Sequence, residues 1–440
     1  MRKKINTLAV LTTIFATATV VFLCLFLSFV ATSKTYKTQL ENSYMKSFYE
    51  MVDNVNNLEV NLSKIVATSS IDSQRELLSS VYDSCRLGVN NINVLPISIS
   101  KLTEINSLLN TAGGFAYSLL QSNYQGKSIS NDDYGQLNSI YSKVREVQYD
   151  LNLYMQKLSY DYSILDDIDF DNEEGSSFSA GIVDSESSGT NIPSLIYDGP
   201  FSDSALNPEV SGLSDTIYTR EQIEENLHSL FTGFSIYYIG ESSGKFDTYN
   251  FDVKGDIDLY VTVSKRGGFI LSITAFGNGN GGVMLTSDDG VELAETFASD
   301  MGIPNMYAVW NQRVGNVMYV NLAPIVNHVI YYSDLIKVKV DLSLGLVVGW
   351  EATSYATNHT SRDFTQSVGL LDAMETLNDV LEVTERNLCI IPDKYVGEIS
   401  AYEFICQWND YTYYIYIDSN TGKEVNIMRV ISTSSGDLLM

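Results

Sequence analysis

The first thirty positions contain one uninterrupted apolar run. No charged side chain occurs from Leu8 to Ala31, and Leu, Val, Phe, Ile and Ala dominate the stretch. An α-helix rises about 1.5 Å per residue, so about 20 residues cross the hydrocarbon core of a bilayer. The run predicts a single transmembrane helix, because no later stretch of the sequence is comparably long and uncharged.

Three basic residues, Arg2, Lys3 and Lys4, precede this run directly. Basic flanks stay in the cytoplasm, which predicts an extracytoplasmic chain from about Lys34 onwards. A cleaved signal peptide is the alternative, since Ala31-Thr32-Ser33 resembles a small-residue cleavage site. The apolar core of a signal peptide usually has only about 7–15 residues, so the longer run favours a retained anchor.

In residues 34–165, apolar side chains recur at every third or fourth position, which is the spacing of amphipathic helices. The second of four such stretches stops before Pro96, and Gly113-Gly114 indicates a kink or break in the third. The stretches run from Leu40 to Ile65, Leu78 to Leu95, Leu102 to Leu119 and Leu137 to Leu158. They predict four helices in an antiparallel bundle.

The bundle allows two interpretations. Ligand-sensing receptors use such ectodomains, but they normally carry a cytoplasmic output domain, and only seven residues precede the apolar run here. A spacer and docking domain is therefore favoured, and its surface also offers a site for homo-oligomerisation.

An acidic stretch follows the bundle. Between Lys157 and Arg220 there are 13 Asp and Glu and no basic residue. Residues 166–191 are too poor in apolar side chains to bury a core, which predicts a solvated Ser/Gly linker. An EF-hand loop is disfavoured because the required Gly and Glu positions are not met. The apolar and aromatic residues from Ile192 to Asp203 predict an extended docking segment.

Three C-terminal stretches superimpose on one another. Gly268, Gly345 and Gly422 are spaced 77 residues apart, and each belongs to a polar turn between two alternating strands. A constant period indicates an internal repeat. These glycines are expected at positive φ, as hairpin turns with a bulge require.

Each repeat has the remaining elements of an α+β unit. The turns open with Ser264, Asp341 and Asp418, whose side chains can accept backbone N–H bonds. A helix precedes each hairpin: the first begins at the capping box Thr219–Gln222, the second follows Thr286, and the third is predicted from Thr365 to Leu381. We expect each helix to cover one face of an antiparallel sheet.

The predicted fold class is therefore α+β multidomain. The expected divisions are a cytoplasmic stub and transmembrane anchor at 1–33, the bundle at 34–165, the linker at 166–191, the docking segment with the first repeat at 192–283, the second repeat at 284–360 and the third at 361–440.

Two segments resemble a known family. The segment Pro193-Ser-Leu-Ile-Tyr-Asp-Gly-Pro-Phe-Ser202, behind one anchor and a helical half, resembles the spore germination protein YpeB family. The stretch from Tyr416 to Val425 looks like the PepSY domain, known from peptidase propeptides. The second repeat matches it fairly well, and the first less well because Ser264 replaces the acid.

The resemblance implies a non-catalytic accessory protein of spore germination. Members of the family are needed for the presence and stability of the cortex-lytic enzyme SleB in the dormant spore, and are implicated in holding it inactive. The anchor would lie in the inner spore membrane, with the repeats on its outer face in contact with SleB. The alternatives are an extracellular peptidase-inhibitory PepSY protein, a ligand-sensing ectodomain and a cell-wall hydrolase.

Charge limits the partners. The chain has 27 Lys and Arg against 54 Asp and Glu, and without the three bases that precede the anchor the balance is 24 against 54, or −30. Such a surface disfavours nucleic acid and anionic lipid head groups as partners of the exported part. A basic protein partner, divalent cations and plain solubility all fit it.

The residues that carry chemistry are few and scattered. None of the three histidines, His228, His328 and His359, belongs to a metal-ligand spacing, and no GxSxG or P-loop occurs. We therefore predict no catalytic, cofactor-binding or metal-binding residues and no cofactor. The four cysteines form no CxxC, although Cys389 and Cys406 could bridge neighbouring strands.

Overall fold

A computed structural model of the 440-residue chain describes residues 7–95, 100–160, 201, 209–255, 257–276, 284–393, 397–433 and 436–439. The chain divides into two compact units. The first comprises Met1–Val66 and Arg75–Asp184, and the second comprises Ala67–Gln74 and Ser185–Met440. The predicted linker at 166–191 lies outside the described residues, as does the docking segment apart from Phe201.

The apolar run forms the first part of a single long helix, α1 (Thr7–Ala67). Its large apolar side chains are exposed, with Phe15 78%, Phe22 72% and Phe29 71% accessible. The helix is long and apolar enough to cross a membrane, and none of its apolar window is buried inside the protein. This helix is therefore a candidate membrane anchor and not a core helix.

Three more helices complete the helical bundle of the first unit: α2 (Ile71–Val94), α3 (Ser100–Tyr124) and α4 (Asn131–Tyr160). The predicted apolar stretches supply its core, including Met51, Leu78 and Leu109, each of which is at most 1% exposed. Leu40 is the exception because it is 51% exposed, and burial along α1 begins only at Met45.

The predicted break at Gly113-Gly114 is wrong, because α3 continues through both glycines. Gly113 instead allows α2 and α3 to approach closely. A Cβ atom at this position would lie 3.0 Å from the Cβ of Cys85, whereas one at Gly114 would meet nothing within 4 Å.

The described residues of the second unit form one sheet of fourteen strands. Its strands are β1 (Ser235–Ser242), β2 (Thr248–Lys254), β3 (Asp258–Ser264), β4 (Ile270–Phe276), β5 (Met306–Val314), β6 (Val317–Val326), β7 (Val329–Tyr331), β8 (Ile336–Asp341), β9 (Leu346–Glu351), β10 (Glu382–Asp393), β11 (Gly397–Trp408), β12 (Tyr411–Asp418), β13 (Glu424–Thr433) and β14 (Gly436–Leu439). Their order is β1-β2-β3-β4-β9-β8-β6-β7-β10-β11-β12-β13-β14, with β5 paired to β6.

The repeats join along this sheet in two different ways. The first and second repeats meet where β4 pairs antiparallel with β9. The second and third meet where the short strand β7 pairs parallel with β10. The sequence pattern predicts the separate repeats but not their fusion into a continuous sheet.

Helices cover the first two repeats as predicted. Helix α5 (Arg220–Leu230) starts at the Thr219 capping box, and α6 (Ser287–Asp300) starts at an equivalent box of Thr286 and Asp289. Their apolar faces and the inward residues of β2, β3, β6, β8 and β9 form one core. The apolar face of each helix thus packs on the apolar face of the sheet, as the alternation of apolar residues along the strands predicts.

The third helix is much shorter than predicted. A short helix α7 (Thr353–Asn358) ends the second repeat, and the predicted helix from Thr365 to Leu381 is reduced to α8 (Leu370–Met374). The first part of the predicted helix is not helical, because the backbone N–H groups of Ser367 and Val368 both donate to the carbonyl of Ser419, at 2.9 Å. Pairing with the third hairpin therefore prevents the helix from starting earlier.

The three hairpin turns have the predicted conformation. The φ angles of Gly268, Gly345 and Gly422 are 62°, 64° and 69°. The Asp341 carboxylate accepts the N–H groups of Ser343 and Leu344 at 2.9 and 3.1 Å. The Asp418 carboxylate accepts those of Asn420 and Thr421 at 2.7 and 3.2 Å. The strand before each turn has an irregularity in register at the same 77-residue interval, after Thr262, Lys339 and Tyr416.

The cysteines are free. Cys389 stands opposite Ala401, whereas Cys406 stands opposite Val383, which precedes Cys389 by six residues in β10. That offset separates the two thiols by about 20 Å along the strand, whereas a disulfide requires Cα atoms within about 7 Å. The strand register therefore excludes the Cys389–Cys406 bridge.

Candidate functional site

The structure places the three histidines on different elements. His228 is exposed on α5, His328 lies in the exposed turn between β6 and β7, and His359 follows α7. In the described part of the chain, no group of three or more His, Cys, Asp or Glu could hold a metal ion. Burial raises the pKa of the Cys389 thiol well above its usual range, which makes it a poor nucleophile.

The most unusual polar group of the second unit is Glu403, a carboxylate that is only 1% exposed. It accepts hydrogen bonds from the hydroxyls of Tyr332 and Tyr416, at 2.6 and 2.9 Å, and from Asn387 Nδ2 at 2.9 Å. These four residues are called the Glu403 cluster below. Each donor satisfies part of the hydrogen-bonding capacity of the buried carboxylate. Without such partners, burial of this group would destabilise the fold strongly.

Strand register builds this cluster. Asn387 on β10 stands opposite Glu403 on β11, and Glu403 stands opposite Tyr416 on β12. Tyr332 comes from the 3₁₀ turn Tyr332–Asp334 of the second repeat. The cluster therefore joins three adjacent strands of the third repeat to the second repeat.

Burial raises the pKa of Glu403, although the hydrogen bonds from Tyr332, Asn387 and Tyr416 each lower it. Desolvation also raises the pKa of Tyr332 and Tyr416 well above the usual tyrosine range, so both hydroxyls remain proton donors. The cluster is thus a stable set of donors around one acceptor and not an acid–base pair.

Phe201 covers the cluster. Its ring centroid lies 4.9 Å from that of Tyr416 and 5.4 Å from that of Tyr332, in tilted and edge-on arrangements that aromatic rings favour. The backbone of Phe201 has a φ of 61°, which is unusual for a residue with a side chain. Phe201, the one described residue of the predicted docking segment, thus contacts two tyrosines of the cluster, and the extended docking of the segment stays a prediction.

A pocket of about 480 Å³ lies beside the cluster. Glu385 and Glu403 both line it, with Tyr332, Tyr414 and aliphatic side chains such as Ile330, and no Lys or Arg occurs among the described residues of its lining. Burial, Glu403 and Glu385 raise the pKa of Tyr414 to about 12. The pocket therefore offers acceptors and negative charge, which suits a group that donates hydrogen bonds.

A second polar cluster lies where the second repeat ends. Asp334 is 1% exposed, and its carboxylate accepts from Arg362 and lies 2.7 Å from Nδ1 of His359. Arg362 Nε also lies 3.0 Å from Glu398 Oε2, and the guanidinium packs 5.0 Å from the ring centroid of Tyr331. His359 thus contacts the carboxylate of Asp334, and its ring stacks on Tyr355 at 4.3 Å.

Sequence reasoning identified neither cluster. Their members are far apart in the chain: Tyr332 and Glu403, for example, are 71 positions apart. The one available signal is Glu403 itself, a lone acid within the apolar run Ala401–Cys406. An acid in a strand buried on both faces must be paired.

A hairpin is repeated three times along one sheet, and a helical bundle precedes this sheet in the chain. Together they define a PepSY-repeat protein with an N-terminal helical domain. Two family models match the chain: one described as YpeB N-terminal, over residues 32–162, and one described as YpeB sporulation, PepSY1 and PepSY2 domains, over residues 180–365. The chain belongs to the YpeB family. This membership gives it a role in sporulation and germination.

Similar proteins cover almost the whole chain. A sporulation protein YpeB of Halalkalibacterium halodurans is 24% identical over 427 residues, which span 90% of this chain and 92% of the relative. The protein of the same name from Bacillus subtilis is 24% identical and spans 89% and 90%. The solved Bacillus megaterium YpeB C-terminal domain matches with a TM-score of 0.44 and 20% identity, covering 48% of this chain and 98% of that domain.

Proposed function

We propose that this chain is a non-catalytic accessory protein of spore germination that stabilises and positions the cortex-lytic enzyme SleB in the dormant spore and restrains it until germination. The observation that carries the proposal is the match of two YpeB family models, over residues 32–162 and 180–365. Relatives of matching length carry the name sporulation protein YpeB.

The chemistry of the described residues supports a binding role. Glu403 and Asp334 are each only 1% exposed, Arg362 is partly buried, and each of the three is engaged by several neighbours. Catalytic acids and bases need access to a substrate and an appropriate pKa. Buried groups that are engaged by several neighbours in this way hold the repeats together instead.

The proposed location is the outer face of the inner spore membrane. The candidate anchor α1 and the basic residues Arg2, Lys3 and Lys4 support it, because positive flanks remain in the cytoplasm. The helical bundle and the sheet would then both face the compartment that contains the cortex.

Capture of SleB from spores tests the proposal. The full chain in detergent is used as bait against a spore membrane extract, and a bait that ends at Leu165 is the matched control. We expect the full chain to retain SleB and the truncated bait to retain much less. Retention should weaken as salt rises, because rim charge pairs are screened beyond about 8 Å at physiological ionic strength.

The same purified chain should release no muropeptides from cortex peptidoglycan. Release would contradict the accessory role and favour a hydrolase. Capture of a peptidase in place of SleB would instead favour the peptidase-inhibitory alternative.

A further inference from the structure

The sheet face opposite α6 carries a cleft across the first two repeats. Side chains alternate along β6, so that Met318, Val320 and Leu322 enter the core under α6 while Tyr319 and Asn321 line the cleft. The cleft extends over β4, β9, β8 and β6 and has a volume of about 770 Å³. That volume lies within the range of small-molecule sites, about 300–1,000 Å³.

Asn321 has a buried donor without an acceptor. The side chain lines the cleft and is 4% exposed, and in the described part of the chain its Nδ2 atom has no hydrogen-bond partner. Buried polar groups are nearly always paired, because an unpaired donor destabilises the fold. An unpaired amide that lines an open cleft therefore points to an acceptor supplied by a ligand.

A cation lies close by in the same cleft. Lys339 extends over Gly349, where a Cβ atom would lie 3.1 Å from its Cδ, and its Nζ lies 5.3 Å from the ring centroid of Tyr319. Within the described ranges no carboxylate pairs with this ammonium group. The glycine and the tyrosine hold the lysine in place, so the cation does not have to be ordered when a ligand binds.

We propose that this cleft binds a small organic carboxylate. The carboxylate accepts from Asn321 Nδ2 and pairs with the ammonium group of Lys339. Lys337, Asp341 and Glu351 also line the cleft, so two carboxylates offset its two lysines and a monoanion fits better than a phosphate or a polyanion. Ile257 and Val348 form an apolar wall that suits a small aliphatic substituent. The site is separate from the Glu403 cluster and does not depend on the proposed role with SleB.

The probe is N-acetyl-L-leucine, and N-acetyl-L-leucinamide is the matched ligand that lacks the carboxylate. Both are titrated into the full chain in lipid nanodiscs and followed by saturation-transfer NMR. We expect saturable binding of the acid, at least about tenfold tighter than that of the amide, because only the acid supplies a charged acceptor. Equal binding of the two compounds, or no saturable binding of the acid, would overturn the proposal.

The variant Asn321→Leu distinguishes a ligand-binding residue from a structural one. We expect it to bind the acid at least about tenfold more weakly while its Tm, read from tryptophan fluorescence, stays the same or rises, because an unpaired buried donor has been removed. Asn311→Leu, at an exposed position of β5, is the control and should leave binding unchanged.

Lys339→Gln provides an independent test should Asn321→Leu fold poorly. It should weaken binding of the acid and leave binding of the amide unchanged. Unaltered binding of the acid by Lys339→Gln, or by a folded Asn321→Leu variant, would contradict the proposal.

Discussion

At the scale of single residues, the fold depends on polar groups that are buried and paired. The side chain of Glu403 is almost completely shielded from solvent, and three hydrogen-bond donors take the place of water around its carboxylate. Its raised pKa shows that desolvation outweighs these hydrogen bonds. Because Phe201 packs on two of the three donors, the cluster also contacts a residue that is distant in sequence.

The raised pKa of Glu403 predicts the pH dependence of stability. The pKa of Glu403 in the folded state is higher than the value for an unfolded chain, which is about 4.3. Such a carboxyl contributes its full stabilisation at pH values below the unfolded pKa. The contribution disappears as the pH rises through the folded pKa. The difference in free energy of unfolding between the natural chain and Glu403→Gln should therefore decrease from about pH 4 towards pH 7.

Urea unfolding followed by tryptophan fluorescence measures this difference, since Trp310, Trp350 and Trp408 all lie in the sheet. Asp289→Asn is the control. Hydrogen bonds from Thr286 lower the pKa of Asp289, so its contribution is lost only as pH falls below about 4. A difference for Glu403→Gln that is flat or rises with pH would contradict the account of the cluster.

Gly422 is a residue whose role follows from backbone conformation. Its φ of 69° is unfavourable for a β-branched side chain, so Gly422→Val should lower the free energy of unfolding of the sheet by about 1–2 kcal/mol. Gly422→Asn should cost less, because Asn tolerates this conformation. Equal urea midpoints for the glycine, valine and asparagine forms would contradict the turn assignment.

Residues with local roles could be predicted from the sequence, and residues with distant partners could not. Asp341 and Asp418 accept from backbone groups two and three positions on, so the turn motif contains their whole environment. Asn321 and Glu403 depend on strands brought together by the sheet. Strand register, which one sequence does not specify, determines their neighbours.

At the scale of elements, the two adjacent glycines of α3 lie in different environments. Gly113 is buried against Cys85 of α2, and Gly114 is exposed. Helix packing at small residues brings backbones close together, so a larger side chain at the buried position has no space.

The variants Gly113→Leu and Gly114→Leu test this packing. The first should destabilise the bundle by about 1–3 kcal/mol, because well-packed cores tolerate extra volume poorly. The second should be neutral or stabilise by up to about 1 kcal/mol, because leucine favours the helix more than glycine does. Thermal unfolding followed by circular dichroism at the helix band measures both, and equal effects would contradict the predicted contact.

The elements with complete local signals were predicted correctly. The capping boxes at Thr219 and Thr286 start α5 and α6 where the sequence places them. The prediction of the third helix was wrong because the backbone N–H groups of Ser367 and Val368 donate to a carbonyl of the neighbouring hairpin. Tertiary hydrogen bonds there override the apolar spacing that the sequence shows.

At the scale of the whole molecule, one long helix contains both the candidate anchor and the first helix of the bundle. Helix α1 runs without interruption from Thr7 to Ala67, and its exposed apolar part precedes the buried part. The net charge of −30 after the basic flank keeps the remaining chain strongly hydrated.

A reporter fused after Met440 tests the predicted topology. An alkaline phosphatase fusion should be active, because this enzyme requires an extracytoplasmic location, and a fusion that is active only in the cytoplasm should be silent. Replacing Arg2, Lys3 and Lys4 by Glu should lower the fraction of chains in this orientation. Cytoplasmic activity at Met440 in the natural chain would contradict the proposed location.

The most direct measurement of the central claim is the amount of SleB in dormant spores. Spores that lack this chain are compared with spores that express the natural chain and with spores that express a form ending at Leu165. The account predicts that SleB falls to a small fraction of its normal level in the first and last cases and is restored by the full chain. An unchanged level of SleB in spores without the chain would contradict the account.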